Sequence, residues 1–393
     1  MFRTLATGAL LMAAVFWAGT LVNVHGKPVL FPFTNHITAS AANTGKNLGI
    51  TGMGLLDYFK SQVMPRSTLE KPHDVLVSSF YDAFVEYLSP DVTHSQKGQI
   101  CFPEGSTVSK LNRDVNPVTN VHSHNDYWRD LPLFEALCYG IASVEADVWL
   151  IDGSEELAVG HNQAFLDPEH RTLNSLYTGP LLSMLNEVNC LEDVQDHKYG
   201  VFYNSPETTL YLYIDFKSED SSQTYSHLVE NHLRPLIEAG YLTYFDLQAK
   251  HIEWNPITVI LTGDYPTDLN ILDGNDGDGI LHTNQRFVFL DAPLYDLQDQ
   301  HEQLSVVASA SLSQLLRNCS AKPTAHINGL SNDEIDCIKP FIADAHRRNL
   351  KTRIWGVPDW PNTLRKQLWS QQVYDLQVDF LNADNLYEAS HLF

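Results

Sequence analysis

Apolar runs rich in β-branched and aromatic residues recur along the chain after Pro117. They cover residues 119–123, 143–150, 209–216, 257–263, 286–291, 305–310, 352–357 and 378–383. Segments with apolar residues at helical spacing separate them, at 131–139, 172–188, 223–238, 332–348 and 361–371. A strand followed by a helix, repeated about eight times, is typical of a parallel sheet that is covered on both faces. The pattern predicts an α/β protein, most economically a closed TIM-type (β/α)8 barrel at residues 117–393.

The chain ahead of the barrel divides into two stretches. Arg3 is followed by a nearly unbroken apolar run from Leu5 to Val22, which predicts a targeting segment at residues 1–26, either a signal peptide or a membrane anchor. We therefore expect a protein of the secretory pathway, secreted or membrane-anchored with a lumenal or extracellular barrel, and this segment allows membrane association. Residues 27–116 lack the later alternation. Apolar residues at helical spacing between Gly54 and Tyr87 predict a spacer followed by one or two helices packed on the barrel.

Composition limits the partners that this chain can have. Its 393 residues are 44% hydrophobic, enough to bury a large core, and its formal net charge is -23. Such a charge argues against nucleic acid as a partner, because no basic surface would offset the repulsion from phosphate. An acidic protein that acts on an anionic substrate therefore needs a cation in its site.

The five cysteines show no C-x-x-C spacing, which excludes a zinc ribbon and a dithiol redox motif. At most two disulfides can form. Cys319 and Cys337 flank a short loop and are our candidate for one of them.

Carboxylates lie within the second apolar run and at the end of the third. Glu145 and Asp147 alternate on the second run, so both point to the same side of a strand, and Asp215 and Lys217 end the third run. The carboxyl ends of the strands are where TIM-type barrels place their chemistry. A pair of buried carboxylates is costly without a cation, which favours a metal site over a salt-bridged strand edge. Asp215 and Lys217 fit either an ordinary ion pair or a third ligand beside a phosphate-binding lysine.

Histidines accompany these carboxylates. His124 follows the first run and His161 follows the sequence LAVG, and a pair of histidines at one site suits general acid/base catalysis. His122 shares a strand face with His124, and it either points into the site or packs beneath it. Trp355 lies near the end of the seventh run and either lines the substrate mouth or packs as a rim aromatic.

These segments together resemble a known group of enzymes. The ordered motifs HSHNDY, VEADVWL, VGH, YIDFK, RIWGV and VDFLNADN are similar to those of the PLC-like phosphodiesterases, and within them to the fungal altered inheritance of mitochondria protein 6 family. The resemblance implies a TIM-type barrel that uses a divalent cation, Mg²⁺ or Ca²⁺. It also implies catalytic residues His124 and His161, metal ligands Asn125, Glu145, Asp147 and Asp215, and a phosphate contact from Lys217.

One departure bears on the substrate. Glycerophosphodiester phosphodiesterases typically carry His-Arg-Gly at the first motif, whereas this chain has His-Asn-Asp at 124–126. We expect a metal-dependent phosphodiester hydrolase acting on a glycerophosphodiester or phospholipid-type small molecule. Two alternatives stay open. One is a zinc amidohydrolase that uses His122, His124 and Asp384, and the other is an inactive lumenal binding or scaffold protein on the same barrel.

Overall fold

Eight parallel strands form a closed barrel in the computed structural model. Each strand pairs with the next, and the last pairs with the first. This confirms the predicted TIM-type barrel. The strands are β1 Val121–Ser123, β2 Ser143–Leu150, β3 Leu210–Phe216, β4 Ile257–Gly263, β5 Val288–Pro293, β6 Val307–Ser311, β7 Lys351–Trp355 and β8 Phe380–Ala383.

The structure describes residues 49–62, 74–88, 105–190, 197–273, 284–319 and 329–393. The predicted targeting segment at residues 1–26 and nearly all of the spacer lie outside these ranges. Among the helices described, none combines the length and the apolar character that crossing a bilayer would require.

Helices cover the outside of the barrel, as the alternation predicts. The α-helices are Gly52–Gln62, Asp74–Leu88, Thr107–Asn112, Phe134–Cys138, Gly179–Val188, Ser221–His227, Arg234–Glu238, Leu269–Leu272, His301–Leu304, Leu312–Asn318, Asn332–Arg347, Asn362–Ser370 and Leu386–Ser390. Single π-helical turns at Asn174–Thr178, Leu228–Leu233 and Gln371–Asp375 extend three of them, and short 3₁₀ turns lie at Asp126–Trp128 and Gln163–Phe165.

Local sequence sets where several of these helices begin. Ser331 caps helix Asn332–Arg347: its hydroxyl accepts the backbone N–H of Glu334, and the Glu334 carboxylate accepts the backbone N–H of Ser331. Ser311 and Gln314 form the same reciprocal pair at the start of helix Leu312–Asn318. Such capping boxes satisfy two backbone donors that the first helical turn would otherwise leave without acceptors.

The two helices ahead of the barrel share its hydrophobic core. Phe59 of helix Gly52–Gln62 and Phe84 of helix Asp74–Leu88 meet edge to face, with ring centroids 5.0 Å apart. Phe84 in turn packs on Phe134, which follows β1, at 5.6 Å. Lys60 also pairs with Glu135 at 2.9 Å. The helical spacing read from the sequence therefore corresponds to helices docked on the barrel.

Two small antiparallel features were not expected. The strands Tyr244–Asp246, His251–Glu253 and Gln285–Arg286 form a separate sheet near the amino ends of β4 and β5. Phe245 of this sheet joins a buried cluster with Tyr211 and Phe380, which project into the barrel. The second feature is the strand Leu157–Val159, which pairs antiparallel with the end of β2.

The predicted disulfide between Cys319 and Cys337 is present. Cys190 is also disulfide-bonded, and Cys138 is a free, buried thiol.

Candidate functional site

Three carboxylates meet at the carboxyl end of the barrel. Glu145, Asp147 and Asp215 each offer an oxygen atom, and these oxygens all lie within 4.8 Å of one another. Asp147 and Asp215 are direct neighbours in the β2–β3 register, so the parallel pairing itself brings them side by side. Glu145 lies two residues before Asp147 on the same face of β2. We refer to these three residues as the acidic triad.

The acidic triad is buried and mutually repulsive. Burial raises the pKa of Asp147 to about 7, and the charges of Glu145 and Asp215 add to the effect. Burial also raises the pKa of Asp215, although Lys217 opposes the shift. The Oδ1 atom of Asp215 is buried and has no hydrogen-bond partner among the residues that the structure describes. Clustered carboxylates with a spare buried oxygen fit a hard divalent cation, so these residues can hold one.

His124 lies beside the acidic triad and is held by a carboxylate that directly follows the last strand. Its Nδ1 is 2.9 Å from Asp384 Oδ1, and its Nε2 is 3.8 Å from Glu145 Oε2. With the Nδ1 proton donated to Asp384, the Nε2 atom faces the site. Burial disfavours the charged ring, but the hydrogen bond to Asp384 and the charge of Glu145 outweigh it, so the pKa of His124 is raised.

His161 reaches the site through the unexpected hairpin. The strand Leu157–Val159 turns the chain back along β2, and the Gly160 N–H donates to the Asp147 carbonyl at 3.1 Å. The His161 Nδ1 consequently lies 3.3 Å from Asp147 Oδ2. The ring is about half exposed, which leaves its other nitrogen accessible from the mouth of the barrel.

Asn125 is placed by its backbone as much as by its side chain. It adopts a left-handed conformation, with φ of 48°, which asparagine tolerates better than most residues. This turn directs its N–H to Glu145 Oε2 at 3.0 Å. Its Oδ1 accepts a hydrogen bond from the Tyr127 hydroxyl at 2.7 Å, and that hydroxyl also lies 2.8 Å from Asp147 Oδ2. Asn125 therefore contacts the acidic triad, and Tyr127, which sequence reasoning missed, links the two.

Lys217 and Trp355 differ in how closely they approach the acidic triad. The Lys217 ammonium lies 2.7 Å from Asp215 Oδ2 and 3.3 Å from Asp147 Oδ2. Trp355 ends β7 at the same end of the barrel and is partly exposed, but no ring or polar contact joins it to the acidic triad in the part of the chain described here. Each of the seven other predicted positions thus contacts at least one of the others, while Trp355 stays at the rim.

A polar layer lies directly beneath the acidic triad. His122, Tyr213, Asp291 and Arg353 come from β1, β3, β5 and β7, the alternate strands that supply one layer of a TIM-type barrel. The Arg353 guanidinium lies 2.9 Å from His122 Nε2, 3.2 Å from Asp291 Oδ2 and 4.6 Å from the Tyr213 ring centroid. Such layers usually hold apolar residues, and this one instead holds a fixed buried cation.

Arg353 links this layer to the acidic triad and settles the place of His122. The guanidinium lies 3.6 Å from Glu145 Oε1, and together with His122 and His124 it outweighs burial and lowers the pKa of Glu145. His122 is fully buried, its Nε2 accepts from Arg353, and its Nδ1 bonds Ser143 Oγ at 2.8 Å. Burial and Arg353 lower its pKa to about 3. Both ring nitrogens are engaged, so His122 packs beneath the site, which speaks against the zinc amidohydrolase alternative.

Part of the chain matches a known domain family. Residues 109–280 match a family model described as the AIM6-like phosphodiesterase domain. The crystal structure of a glycerophosphodiester phosphodiesterase from Parabacteroides distasonis is similar over 70% of this chain and 98% of that one, at 14% identity and a TM-score of 0.37.

Relatives in yeasts are much more similar. The altered inheritance of mitochondria protein 6 of Lachancea thermotolerans is 54% identical over 401 residues, which cover 100% of this chain and 94% of that protein. The protein of the same name from Saccharomyces cerevisiae is 50% identical over 349 residues, 88% of each chain. The Kluyveromyces lactis protein is 42% identical over 410 residues. The chain belongs to the altered inheritance of mitochondria protein 6 family.

Proposed function

We propose that this chain is a divalent-cation-dependent phosphodiester hydrolase for a glycerophosphodiester or phospholipid-type substrate. The observation that carries the proposal is the acidic triad between two histidines at the carboxyl end of the barrel. The match to a phosphodiesterase domain supports the reaction class. A Mg²⁺ or Ca²⁺ ion held by the acidic triad, with Asn125 beside it, would neutralise phosphate charge and polarise a phosphorus–oxygen bond.

The two histidines take complementary roles in this proposal. Asp384 stabilises a protonated His124 ring, which is the form a general base reaches after it accepts a proton. His124 therefore takes the proton from the nucleophile, either water or a neighbouring substrate hydroxyl. The nucleophile forms its bond to phosphorus while the bond to the leaving oxygen breaks, and His161 gives that oxygen a proton.

Lys217 contributes a movable positive charge. In the part of the chain that the structure describes, its ammonium is bound only to Asp215 and Asp147 of the acidic triad, and its side chain is about a quarter exposed. A phosphate oxygen entering the mouth would offer this ammonium a third charged partner. We propose that Lys217 binds and orients the phosphate.

Hydrolysis by the full-length chain would test the proposal. Purified protein stripped of divalent ions would be assayed on glycerophosphodiesters and lysophospholipids, with Mg²⁺ or Ca²⁺ added back. We expect cation-dependent cleavage that falls by about 10²–10⁴-fold in His124→Ala, in the range of general acid/base contributions. Glu145→Gln should bind the cation more weakly and lose activity with its fold intact.

His251→Ala is the matched control, because His251 is also bonded to a carboxylate, Glu253, at 2.6 Å but lies on the small sheet at the other end of the barrel. Its activity should equal that of the wild type. Full activity in Glu145→Gln would contradict the role of the acidic triad. Cleavage at an unchanged rate after a chelator is added would contradict it as well.

A further inference from the structure

Large aromatic side chains stand exposed around the mouth of the barrel. Trp128, Phe165, Trp355 and Trp360 are 63%, 84%, 42% and 83% exposed, respectively. We call these four residues the aromatic rim. Burial of such rings is normally strongly favourable, so a group of exposed rings at one place marks a surface that contacts something apolar.

The aromatic rim lies on loops along one side of the mouth. Trp128 follows β1, Phe165 follows the hairpin of β2, and Trp355 and Trp360 end and follow β7. Around the barrel, β7, β8, β1 and β2 are consecutive strands. The rim also borders the site, because the Trp128 ring lies 5.0 Å from the His161 ring.

Charge on the same loops restricts what the aromatic rim can contact. Within the described loops 124–133, 160–171 and 356–361, the only arginine or lysine side chains are Arg129 and Arg171. Arg129 donates to the backbone carbonyls of His124, Asn125 and Asp384, and Arg171 donates to the carbonyl of Tyr127. Both guanidinium groups are therefore committed to the protein, and the chain carries a net charge of -23. An anionic membrane would be repelled.

We infer that the aromatic rim docks on the surface of a bilayer of zwitterionic phospholipid. Indole and phenyl rings partition into the boundary between head groups and acyl chains, where an amphipathic ring keeps one edge hydrated. Docking in this orientation would bring the mouth of the barrel against the lipid phosphates. The inference rests on the proposed phosphodiesterase function for its substrate, and it narrows that substrate to a phospholipid met in the bilayer.

Fluorescence quenching tests docking without any turnover. The full chain carries Trp17→Phe to remove the signal of its N-terminal apolar run, and it is mixed with vesicles of bromine-labelled phosphatidylcholine. We expect quenching of the tryptophan emission, reduced in Trp360→Phe. Trp254→Phe is the matched control: Trp254 is 53% exposed but lies before β4, at the other end of the barrel. Its replacement should leave the quenched fraction unchanged.

Turnover on vesicles supplies the second readout. Phe165→Ala/Trp360→Ala should lower kcat/KM on phosphatidylcholine vesicles by about 100-fold, about tenfold for each ring removed from the interface. The same double variant should hydrolyse a soluble glycerophosphodiester at the wild-type rate, because neither residue contacts the acidic triad or the histidines. Trp254→Ala should match the wild type on both substrates.

The outcomes separate the two proposals. If vesicles do not quench the tryptophan emission while the protein still hydrolyses the soluble glycerophosphodiester, docking is overturned and the proposed function stands. Rim-specific quenching without cleavage of any phosphodiester would sustain docking and overturn the proposed function. Stronger binding to vesicles that contain phosphatidylserine would refute the zwitterionic assignment. A wild-type dimer that the double variant converts to a monomer would show that a second copy covers the rim, which also overturns the inference.

Discussion

Replacing Arg353 by methionine should destabilise the protein more than the loss of any surface arginine. The side chain is buried and holds two carboxylates, Asp291 at 3.2 Å and Glu145 at 3.6 Å, besides the ring nitrogen of His122. Arg353→Met fills a similar volume but leaves those carboxylates without their cation. Breaking a buried ion pair from one side costs about 3–5 kcal/mol, because the partner charge stays buried and unpaired.

Neutralising Asp291 together with Arg353 should lower the free energy of unfolding by less than the two single substitutions added together. Urea unfolding would be followed in the presence of a chelator, with disulfides intact, so that cation binding does not contribute. The cost of Arg353→Met/Asp291→Asn should fall short of the sum of the single variants by about 0.5–3 kcal/mol, the coupling typical of residues in one salt-bridge network.

A surface arginine provides the control for this comparison of single and double variants. Arg348 also pairs with several carboxylates, including Asp299 at 3.0 Å and Glu302 at 3.2 Å, but these partners are solvent-exposed. Arg348→Met should cost at most about 1 kcal/mol. Single effects of Arg353→Met and Asp291→Asn that add within about 0.5 kcal/mol would refute the view that the pair acts as one buried unit.

Three further perturbations test the site and the core. Asp147→Asn should raise the free energy of unfolding in chelator by up to about 4 kcal/mol near pH 8, because the pKa of Asp147 is raised to about 7 and its ionisation below that pH opposes folding. Cation binding by calorimetry should be lost, and a less stable variant would contradict the repulsion. Gly263→Ala should weaken cation affinity about 10–100-fold, since its φ is +73° and an added Cβ would collide with the Asp215 carboxylate. Gly153→Ala, with φ +76° and open space around it, controls for backbone strain, and equal affinities in the two variants would remove the steric argument. Burial lowers the pKa of His232 to about 4. Between that pH and about 6.5, the folded state therefore binds fewer protons than the unfolded state. The stabilising effect of the neutral His232 ring is lost as the pH falls through this window. His232→Gln should therefore gain up to about 3 kcal/mol relative to the wild type between pH 6.5 and pH 4 in urea titrations, and a constant difference would show that the ring does not titrate there.

The barrel could be predicted because its signal is repeated. Each strand is a short apolar run, and each helix shows apolar residues at helical spacing. The order of these elements alone therefore favours one architecture. The small sheet at Tyr244–Asp246 and His251–Glu253 escaped prediction, since three-residue strands carry too few positions to show alternation. Arg286 belongs to that sheet, whereas the apolar run that contains it was read as the start of β5.

The candidate site was predictable to the extent that strand ends define it. Glu145, Asp147 and Asp215 follow from alternation on adjacent parallel strands, which fixes both their face and their proximity. Arg353 was missed, because an arginine two residues before Trp355 in an otherwise apolar strand gives no local sign of its partners. Those partners lie far away in sequence, on β1, β2 and β5, and only the closed barrel brings them together. Catalytic roles for the two histidines remain predictions.

Charge balance explains why the polar layer and the acidic triad belong together. The acidic triad and Asp291 bring four carboxylates into the barrel, and the two cations among them are Arg353 and Lys217. Two negative charges are left over when all six groups are ionised, and one divalent cation would neutralise them. Besides burial, the repulsion from Glu145 and Asp215 raises the pKa of Asp147, as expected where negative charges outnumber positive ones. Arg353 lies beneath the acidic triad and is fixed by Asp291. It can therefore hold Glu145 ionised without occupying the open side of the acidic triad. Lys217 lies on that open side and is partly exposed. Under the proposed function, a bound cation would relieve the repulsion, and Lys217 could then exchange a carboxylate for a substrate phosphate.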